Sequence, residues 1–274
     1  MSRAIEYKTD DQIRSMRKAG LVVAAIHEAL REAACPGVTT GQMDAVALEV
    51  LQAHGAKSNF YGYYGYPSQI CASVNDEIVH GIPGDRVLEP GDLVSFDCGA
   101  VVDGWHGDAA FSMVVPGGEN DEARARLCEV TERAMWHGIA AMAKVGRVGD
   151  VGRAIDDFIV SLADPPGIVV DYVGHGIGSA MHMAPDVPNF RSRERGVRLK
   201  PGMVLCIEPM LTAGDQANRV CDDEWTVVTA DGSDACHWEH EVALHLGGIW
   251  VLTAPDGGKA GLAPFGLTPA PLGE

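Results

Sequence analysis

The sequence predicts an α+β fold in which two related halves each place helices ahead of β-strands. Three observations support this prediction: helical periodicity near the N-terminus, a change to short apolar segments bounded by Gly, Pro, Asn and Asp, and a second passage through the same order. The chain has 274 residues, of which 46% are hydrophobic and 22% charged. Such a chain can bury a substantial core as one large or two small domains, and we expect the folded part to span residues 1–252.

The first half begins with two predicted helices. Apolar side chains recur at steps of three and four residues from position 9 to 34, which is typical of an amphipathic helix. A second helix is predicted over residues 40–51, with Thr39 or Thr40 able to cap its first amides. Short apolar runs then predict strands at residues 70–74, 93–96 and 109–115.

The second half repeats this order and indicates a duplication. Residues 88–91 read Leu-Glu-Pro-Gly and residues 199–202 read Leu-Lys-Pro-Gly. In each copy the sixth residue after the Gly is a carboxylate, Asp97 or Glu208, so we expect the two acids to meet at a shared central site. The remaining predicted elements are helices at 122–145 and 151–162 and strands at 168–170, 204–207 and 225–228.

The C-terminal segment differs in character from the rest of the chain. After Thr253 the sequence is rich in Ala, Pro and Gly and has no periodicity. We therefore predict that residues 253–274 form a flexible or surface-laid tail.

Charge and cysteine usage narrow the classes of function. Lys and Arg number 21 against 38 Asp and Glu, and the net charge of -17 argues against DNA or RNA as a partner. No apolar run approaches the roughly 20 residues of a membrane span, and the start of the chain lacks the apolar stretch of a signal peptide. Seven widely spaced cysteines without a C-x-x-C pair fit neither a disulfide framework nor a zinc knuckle. We expect a cytoplasmic protein.

Acidic residues lie at positions where the surrounding strands are apolar. Asp97 and Glu208 are each expected to end a strand, and Asp108 is expected to open one. A desolvated carboxylate needs positive charge nearby, and Lys and Arg are scarce in these segments. Adding His175 and Glu239 gives four carboxylates and one imidazole, a set that suits two divalent cations.

Simpler interpretations exist for each of these residues alone. An acid at a strand end is most often solvated or caps a turn. The combination is less ordinary, because the turn-like pair Asp103-Gly104 would fold two antiparallel strands and bring Asp97 and Asp108 together. Glycines on both sides of His175 also allow the backbone to approach a ligand closely.

Five motifs then form a recognisable series: Ser73-Val74-Asn75-Asp76-Glu77-Ile78-Val79-His80-Gly81-Ile82-Pro83, Asp103-Gly104-Trp105-His106-Gly107-Asp108, Gly174-His175-Gly176-Ile177-Gly178, Lys200-Pro201-Gly202-Met203 and Ile207-Glu208-Pro209-Met210. In this order they closely resemble type I methionine aminopeptidases, and the match runs from about Lys8 to Thr253. The resemblance implies the pita-bread fold, with a central antiparallel sheet and two pseudosymmetric halves. It also implies a dinuclear metal site in which Asp97 chelates one ion, His175 and Glu208 hold the other, and Asp108 and Glu239 bridge them.

Further roles are implied by the same resemblance. His80 is expected near the substrate amine and scissile amide, and His182 is expected to hydrogen-bond the substrate carbonyl oxygen. Glu208 would also act as the base that accepts the water proton. The metal ions would be Co, Mn, Fe or Zn. An apolar slot for the methionine side chain would be built from Tyr63, Tyr66, Cys71, Met181 and Trp225.

The expected function is removal of the initiator methionine from nascent polypeptide N-termini when the second residue is small. We expect a monomer, and a local cluster of Lys8, Arg14, Arg17 and Lys18 is the candidate surface for a transient ribosome contact. One alternative is an Xaa-Pro peptidase of the same fold, although such enzymes usually carry a large domain ahead of the catalytic one and only a short arm precedes it here. The other is a non-catalytic binding relative, although such relatives typically lose metal ligands and all five positions are filled.

Overall fold

The helices occur in the predicted order. The structure is a computed structural model that describes residues 4–118, 121–144 and 146–273. Its helices are α1 (Asp10–Ala33), α2 (Thr40–Ala53), α3 (Asp121–Met142), α4 (Val148–Val160) and α5 (Lys259–Leu262), with 3₁₀ turns at Tyr63–Gly65 and Ala263–Phe265. Thr9 and Thr39 cap α1 and α2: each hydroxyl accepts from the amide of a Gln three residues later, whose side chain accepts from the Thr amide. These two helix starts therefore follow from local sequence.

Fifteen short strands complete the described fold, and every pairing between them is antiparallel. They are β1 (Lys57–Ser58), β2 (Ile70–Val74), β3 (Glu77–Val79), β4 (Leu93–Val102), β5 (Trp105–Val114), β6 (Gly167–Ile168), β7 (Gly174–Gly176), β8 (Met183–Val187), β9 (Val204–Ile207), β10 (Met210–Thr212), β11 (Asn218–Val220), β12 (Val227–Thr229), β13 (Ala235–His237), β14 (His240–His245) and β15 (Gly248–Val251).

The first half packs α1 and α2 against a sheet in which β4 pairs with β1, β2 and β5. The hairpin between β4 and β5 is longer than predicted, because Asp103 and Gly104 both have positive φ (50° and 81°) and form a two-residue turn that keeps the strands paired to their ends. Asp97 and Asp108 consequently lie inside β4 and β5. The prediction that Asp97 ends its strand and that Asp108 opens its strand was wrong.

The second half packs α3 and α4 against a sheet of order β15-β14-β9-β7-β8. The internal repeat has a structural counterpart: Gly91 and Gly202 have φ values of 87° and 93°, and each lies two residues before a strand, β4 or β9. Both copies of the repeat therefore use a left-handed residue, which favours Gly, to turn the chain into a central strand.

Several predicted boundaries shift in the second half. Helix α4 starts three residues earlier than predicted. The strand predicted at 225–228 is β12, which begins only at Val227. It begins there because the Asp223 carboxylate accepts hydrogen bonds from the amides of Trp225 and Thr226 and holds these two residues in a turn. The strand predicted at 168–170 is Gly167–Ile168. Val145 and Glu274, the predicted ends of the third helix and of the tail, lie outside the described residues.

The C-terminal segment lies against the second half. Leu262 is fully buried in the core that α3 and α4 share with the sheet. Farther along, the Ala270 amide donates to the Ile249 carbonyl (2.8 Å), and its carbonyl accepts from Nε2 of His245 (2.6 Å). Within the described residues the segment is thus packed on the surface, where Leu262 anchors it. It also contains regular structure that its composition did not predict, namely α5 and a 3₁₀ turn.

The cluster of basic residues near the N-terminus does not form an exposed patch. Lys8 is buried beside Glu6 (3.4 Å), and Arg17 donates to the carbonyls of Leu252 and Ala254 (2.6 Å each). Arg14 pairs with Asp11 and also donates to the Gly273 carbonyl. Three of the four cations therefore stabilise the fold. Among the described helices, none has the length and apolar character needed to cross a membrane.

Candidate active site

One cavity of about 200 Å³ lies between the two halves of the fold. Every site residue predicted from the sequence lines it. These residues are Tyr63, Tyr66, Cys71, His80, Asp97, Asp108, His175, Met181, His182, Glu208, Trp225 and Glu239.

The β4–β5 hairpin positions two of the carboxylates. Asp97 pairs with Ala110 and Asp108 pairs with Gly99, so the two acids are diagonal neighbours on the same face of the hairpin. Glu239 joins them because its backbone exchanges two hydrogen bonds with that of Ala110 (2.9 and 3.3 Å). The predicted approach of Asp97 and Asp108 thus follows from strand register.

Glu208 and His175 come from the second half. Glu208 immediately follows β9, and the Asn189 side chain holds its backbone by donating to its carbonyl (3.0 Å) and accepting from its amide (3.3 Å). His175 Nδ1 donates to the Gly176 carbonyl (3.0 Å), so Nε2 carries the lone pair. This Nε2 lies 3.5 Å from Glu208 Oε1 and 4.0 Å from Asp108 Oδ2. A backbone acceptor that orients the imidazole in this way is typical of metal-binding histidines.

The acids fit a site that holds cations. Asp108, Glu208 and Glu239 are buried, and within the described residues one oxygen of each has no hydrogen-bond partner, as is also true of Asp97 Oδ1. Burial raises the pKa of Asp97 to about 7. Burial, and after it the neighbouring carboxylates, raises the pKa of the other three well above the ordinary range. Divalent cations bound among these carboxylates would neutralise the concentrated negative charge.

Distances between candidate ligand atoms divide the site into two overlapping groups. In the first, atoms of Asp108, His175, Cys206 and Glu239 lie within 4.8 Å of one another. In the second, the same limit holds for Glu208, His237 and Glu239. Glu239 belongs to both groups, which suits a bridging carboxylate. Asp97 lines the same cavity without belonging to either group.

Two further histidines flank the acids. The Tyr63 hydroxyl lies 2.9 Å from His182 Nδ1. His80 has a positive φ of 62°, a conformation that non-glycine residues rarely adopt, and its ring centroid lies 6.3 Å from that of Trp225. Burial, and then the nearby His182, lowers the pKa of His80 to about 4, so its imidazole is neutral near pH 7.

An apolar slot opens beside the acids. Phe60, Tyr66, Cys71 and Met181 are buried together, with Tyr63 and Trp225 packed against them. The Tyr66 hydroxyl donates to backbone carbonyls, at 3.0 Å for Gly81 and 3.2 Å for Ile70, so this tyrosine turns an apolar ring toward the slot. Aromatic rings and sulfur atoms form a surface that suits a thioether.

Comparison with known proteins agrees with this geometry. The profile of metallopeptidase family M24 matches residues 14–245. The chain belongs to metallopeptidase family M24. This M24 peptidase is 48% identical over 256 residues to "Methionine aminopeptidase 1" of Mycobacterium tuberculosis (strain CDC 1551 / Oshkosh), a match that covers 92% of this chain and 96% of that protein. The resemblance to methionine aminopeptidases that the motifs indicated is therefore confirmed. The chain is a hydrolase of the metallo-exopeptidase class.

Solved structures of other proteins share the fold of this M24 peptidase. A crystal structure of methionine aminopeptidase from Thermotoga maritima superposes with a TM-score of 0.86 at 39% identity and covers 91% of this chain and 99% of that chain. A prolidase from Pyrococcus furiosus has a TM-score of 0.69 at 20% identity, covering 90% of this chain and 65% of that one, which shows a shared fold alone. The predicted pita-bread fold is confirmed.

Sequence reasoning missed two polar residues of the M24 site. His237 lines the cavity, and Glu241, two residues after Glu239, is fully buried, with neither carboxylate oxygen partnered among the described residues. The signal was present, since 237, 239 and 241 alternate with their neighbours and successive odd positions share a face of an extended chain. Both residues lie two positions from the predicted ligand Glu239, so the period of an extended chain predicts that all three share a face.

Proposed function

We propose that this M24 peptidase is a methionyl aminopeptidase that removes the N-terminal initiator methionine from nascent proteins with a small second residue. One observation carries the proposal: a buried cluster of acids and imidazole opens directly onto a slot of aromatic rings and sulfur atoms. The slot suits the methionine side chain, and the acids line the same cavity. The cavity of about 200 Å³ is small, so a bulky second side chain would meet its wall.

The proposal assigns the metal ligands predicted from the sequence. Asp97, Asp108, His175, Glu208 and Glu239 would hold two divalent ions, Co, Mn, Fe or Zn. Such ions supply Lewis acidity toward a carbonyl group and lower the pKa of a water molecule. The unpartnered oxygens of Asp97, Asp108 and Glu239, the Glu208 carboxylate and the lone pair of the His175 imidazole are the donors that fit them.

The remaining steps use side chains of the chain itself. When Tyr63 donates its hydroxyl proton to His182 Nδ1, the proton of the neutral ring is on Nε2, which can then donate to the substrate carbonyl oxygen. His80, whose ring centroid lies 6.3 Å from that of Trp225 in the slot, would contact the amine and the scissile amide. Glu208 accepts the proton of the attacking water and passes it to the leaving amine.

The cellular setting belongs to the same proposal. The enzyme would act as a monomer in the cytoplasm on nascent chain N-termini. A transient ribosome contact would rely on Lys18, since the other three predicted cations are engaged within the fold. Co-sedimentation with ribosomes, compared between wild type and Lys18→Glu, measures that contact.

Hydrolysis of a Met-Ala-Ser tripeptide tests the proposed activity. After removal of metal by a chelator, activity should return when Co, Mn, Fe or Zn is added, and Asp108→Ala or His175→Ala should abolish it. Glu89→Ala and His54→Ala are surface controls that should retain it. Near-normal turnover by either site variant would refute the assignment. An Xaa-Pro peptide cleaved faster than Met-Ala-Ser would favour the prolidase alternative.

A further inference from the structure

Glu208 and His237 each carry a buried polar atom that lacks a hydrogen-bond partner within the described residues. Glu208 Oε1 is a buried acceptor and His237 Nε2 is a buried ring nitrogen, and within the described residues neither has a hydrogen-bond partner. A ring nitrogen of His237 and a carboxylate oxygen of Glu208 lie within 4.8 Å of each other. A buried acceptor without a partner has lost its hydration without compensation, so a potential donor this close to it is significant.

The backbone of His237 is held so that only its ring can serve this purpose. Ser112 of β5 accepts from the His237 amide (3.1 Å) and donates to its carbonyl (2.8 Å). His237 of β13 pairs with Met210 of β10, and Met210 lies two residues beyond Glu208 in the chain. The residue is only 2% exposed, so the imidazole has little freedom and faces the cavity from a fixed strand.

We propose that His237 is a positioning residue whose ring N–H donates a hydrogen bond to the Glu208 carboxylate and holds it in the orientation used for proton transfer. The inference rests on the proposed function and deepens it. A neutral imidazole carries one N–H in either tautomer, which matches the one unpartnered oxygen of Glu208. Direct metal ligation by His237 is the competing role. We favour the hydrogen bond because four carboxylates and His175 already supply the ligands for two cations, whereas Glu208 lacks a donor.

The test compares two substitutions at one position. His237→Leu removes the donor, and His237→Gln keeps a neutral N–H group. With Met-Ala-Ser as substrate, kcat of His237→Leu should fall about 10- to 100-fold while KM changes less than about threefold, and His237→Gln should recover most of the loss. Metal content, measured by mass spectrometry, should equal that of wild type in both. His245→Leu, which removes another buried strand histidine, is the matched control and should keep wild-type kcat.

Each outcome bears on the proposal. A His237→Leu variant that loses metal identifies a ligand and overturns the positioning role, as does an unchanged kcat or a His237→Gln variant no better than His237→Leu. A crystal structure of the metal-loaded wild type provides a readout independent of activity: a nitrogen–oxygen distance between His237 and Glu208 of about 2.7–3.2 Å supports the proposal, and a separation beyond hydrogen-bond range overturns it. Wild-type protein that shows this contact but leaves Met-Ala-Ser intact would refute the proposed function and keep the inference.

Discussion

Asp108→Asn should stabilise the metal-free protein while removing its response to metal. Oxygen atoms of Asp108 and Glu239 lie within 4.8 Å of each other, and Asp97 and Glu241 add further negative charge. Two unit charges at that distance interact with about 3.5 kcal/mol at an effective dielectric constant of about 20. Without cations the fold must accept this repulsion or protonate an acid, and the isosteric amide avoids both. We expect the free energy of unfolding to rise by about 1–3 kcal/mol.

Calorimetry of wild type and Asp108→Asn, each with chelator and with added Mn or Co, measures both effects. For a chain of this length, that free energy corresponds to a Tm increase of about 2–10 °C for the metal-free variant. Wild type should gain stability from metal by mass action, because ions bind the folded state alone, and the variant should gain much less. The two proteins should therefore exchange their order of stability when metal is added.

Asp92→Asn is the matched control. Asp92 is also buried, but its carboxylate accepts from Asn75 Nδ2 (2.9 Å) and from the Glu89 amide (2.8 Å). Replacing one of its oxygens by an amide NH₂ group places two donors against each other, so this variant should lose stability with and without metal. If metal-free Asp108→Asn also melts below wild type, the crowding of charge proposed here is absent.

Three further variants test other parts of the molecule. Burial, followed by the charges of Arg31 and His240, lowers the pKa of His27 to about 3, below the value of 6.5 expected in the unfolded chain, so the folded state loses stability as pH falls below 6.5. Between pH 7 and 5, the free energy of unfolding in urea should therefore fall by about 2 kcal/mol more for wild type than for His27→Gln. Equal losses would contradict this. Leu262→Ala should cost about 2–5 kcal/mol in the same assay, since the side chain is fully buried, and a cost near zero would mean that the C-terminal segment is detached. Trp225→Ala should raise KM for Met-Ala-Ser at least about tenfold with a smaller change in kcat, whereas a fall in kcat alone would place Trp225 outside the slot.

Local signals explain why the helix starts and the halves of the fold were predictable. A Thr followed three residues later by Gln satisfies two orphan amides at once, so the starts of α1 and α2 depend on neighbours in sequence. The repeated Pro-Gly turns before β4 and β9 depend on a left-handed backbone that glycine favours. Neither feature needs knowledge of tertiary contacts.

Strand ends and the C-terminal segment depend on contacts that periodicity does not reveal. The run that ends at Phe96 looks complete because Asp97 is polar, yet β4 continues to Val102 because the turn after it keeps the partner strand in register. The segment beyond Thr253 has no repeating pattern. It is nevertheless anchored in a core made by distant helices, where Leu262 is fully buried and Phe265 and Leu267 pack against the same core. Such scattered anchors contribute burial energy but no periodic signal.

The site shows the same division between strong and weak signals. A carboxylate among apolar residues is costly unless positive charge is near, and several such acids together with His175 could therefore be singled out from the sequence as candidate metal ligands. A buried neutral histidine carries a much smaller cost, and His237 was therefore not singled out. The role proposed for it depends on an unpartnered oxygen of Glu208, a residue that follows β9 and approaches His237 only in the folded chain. A residue whose role is to orient a catalytic group is hidden from a single sequence for this reason, because its signal is a tertiary contact.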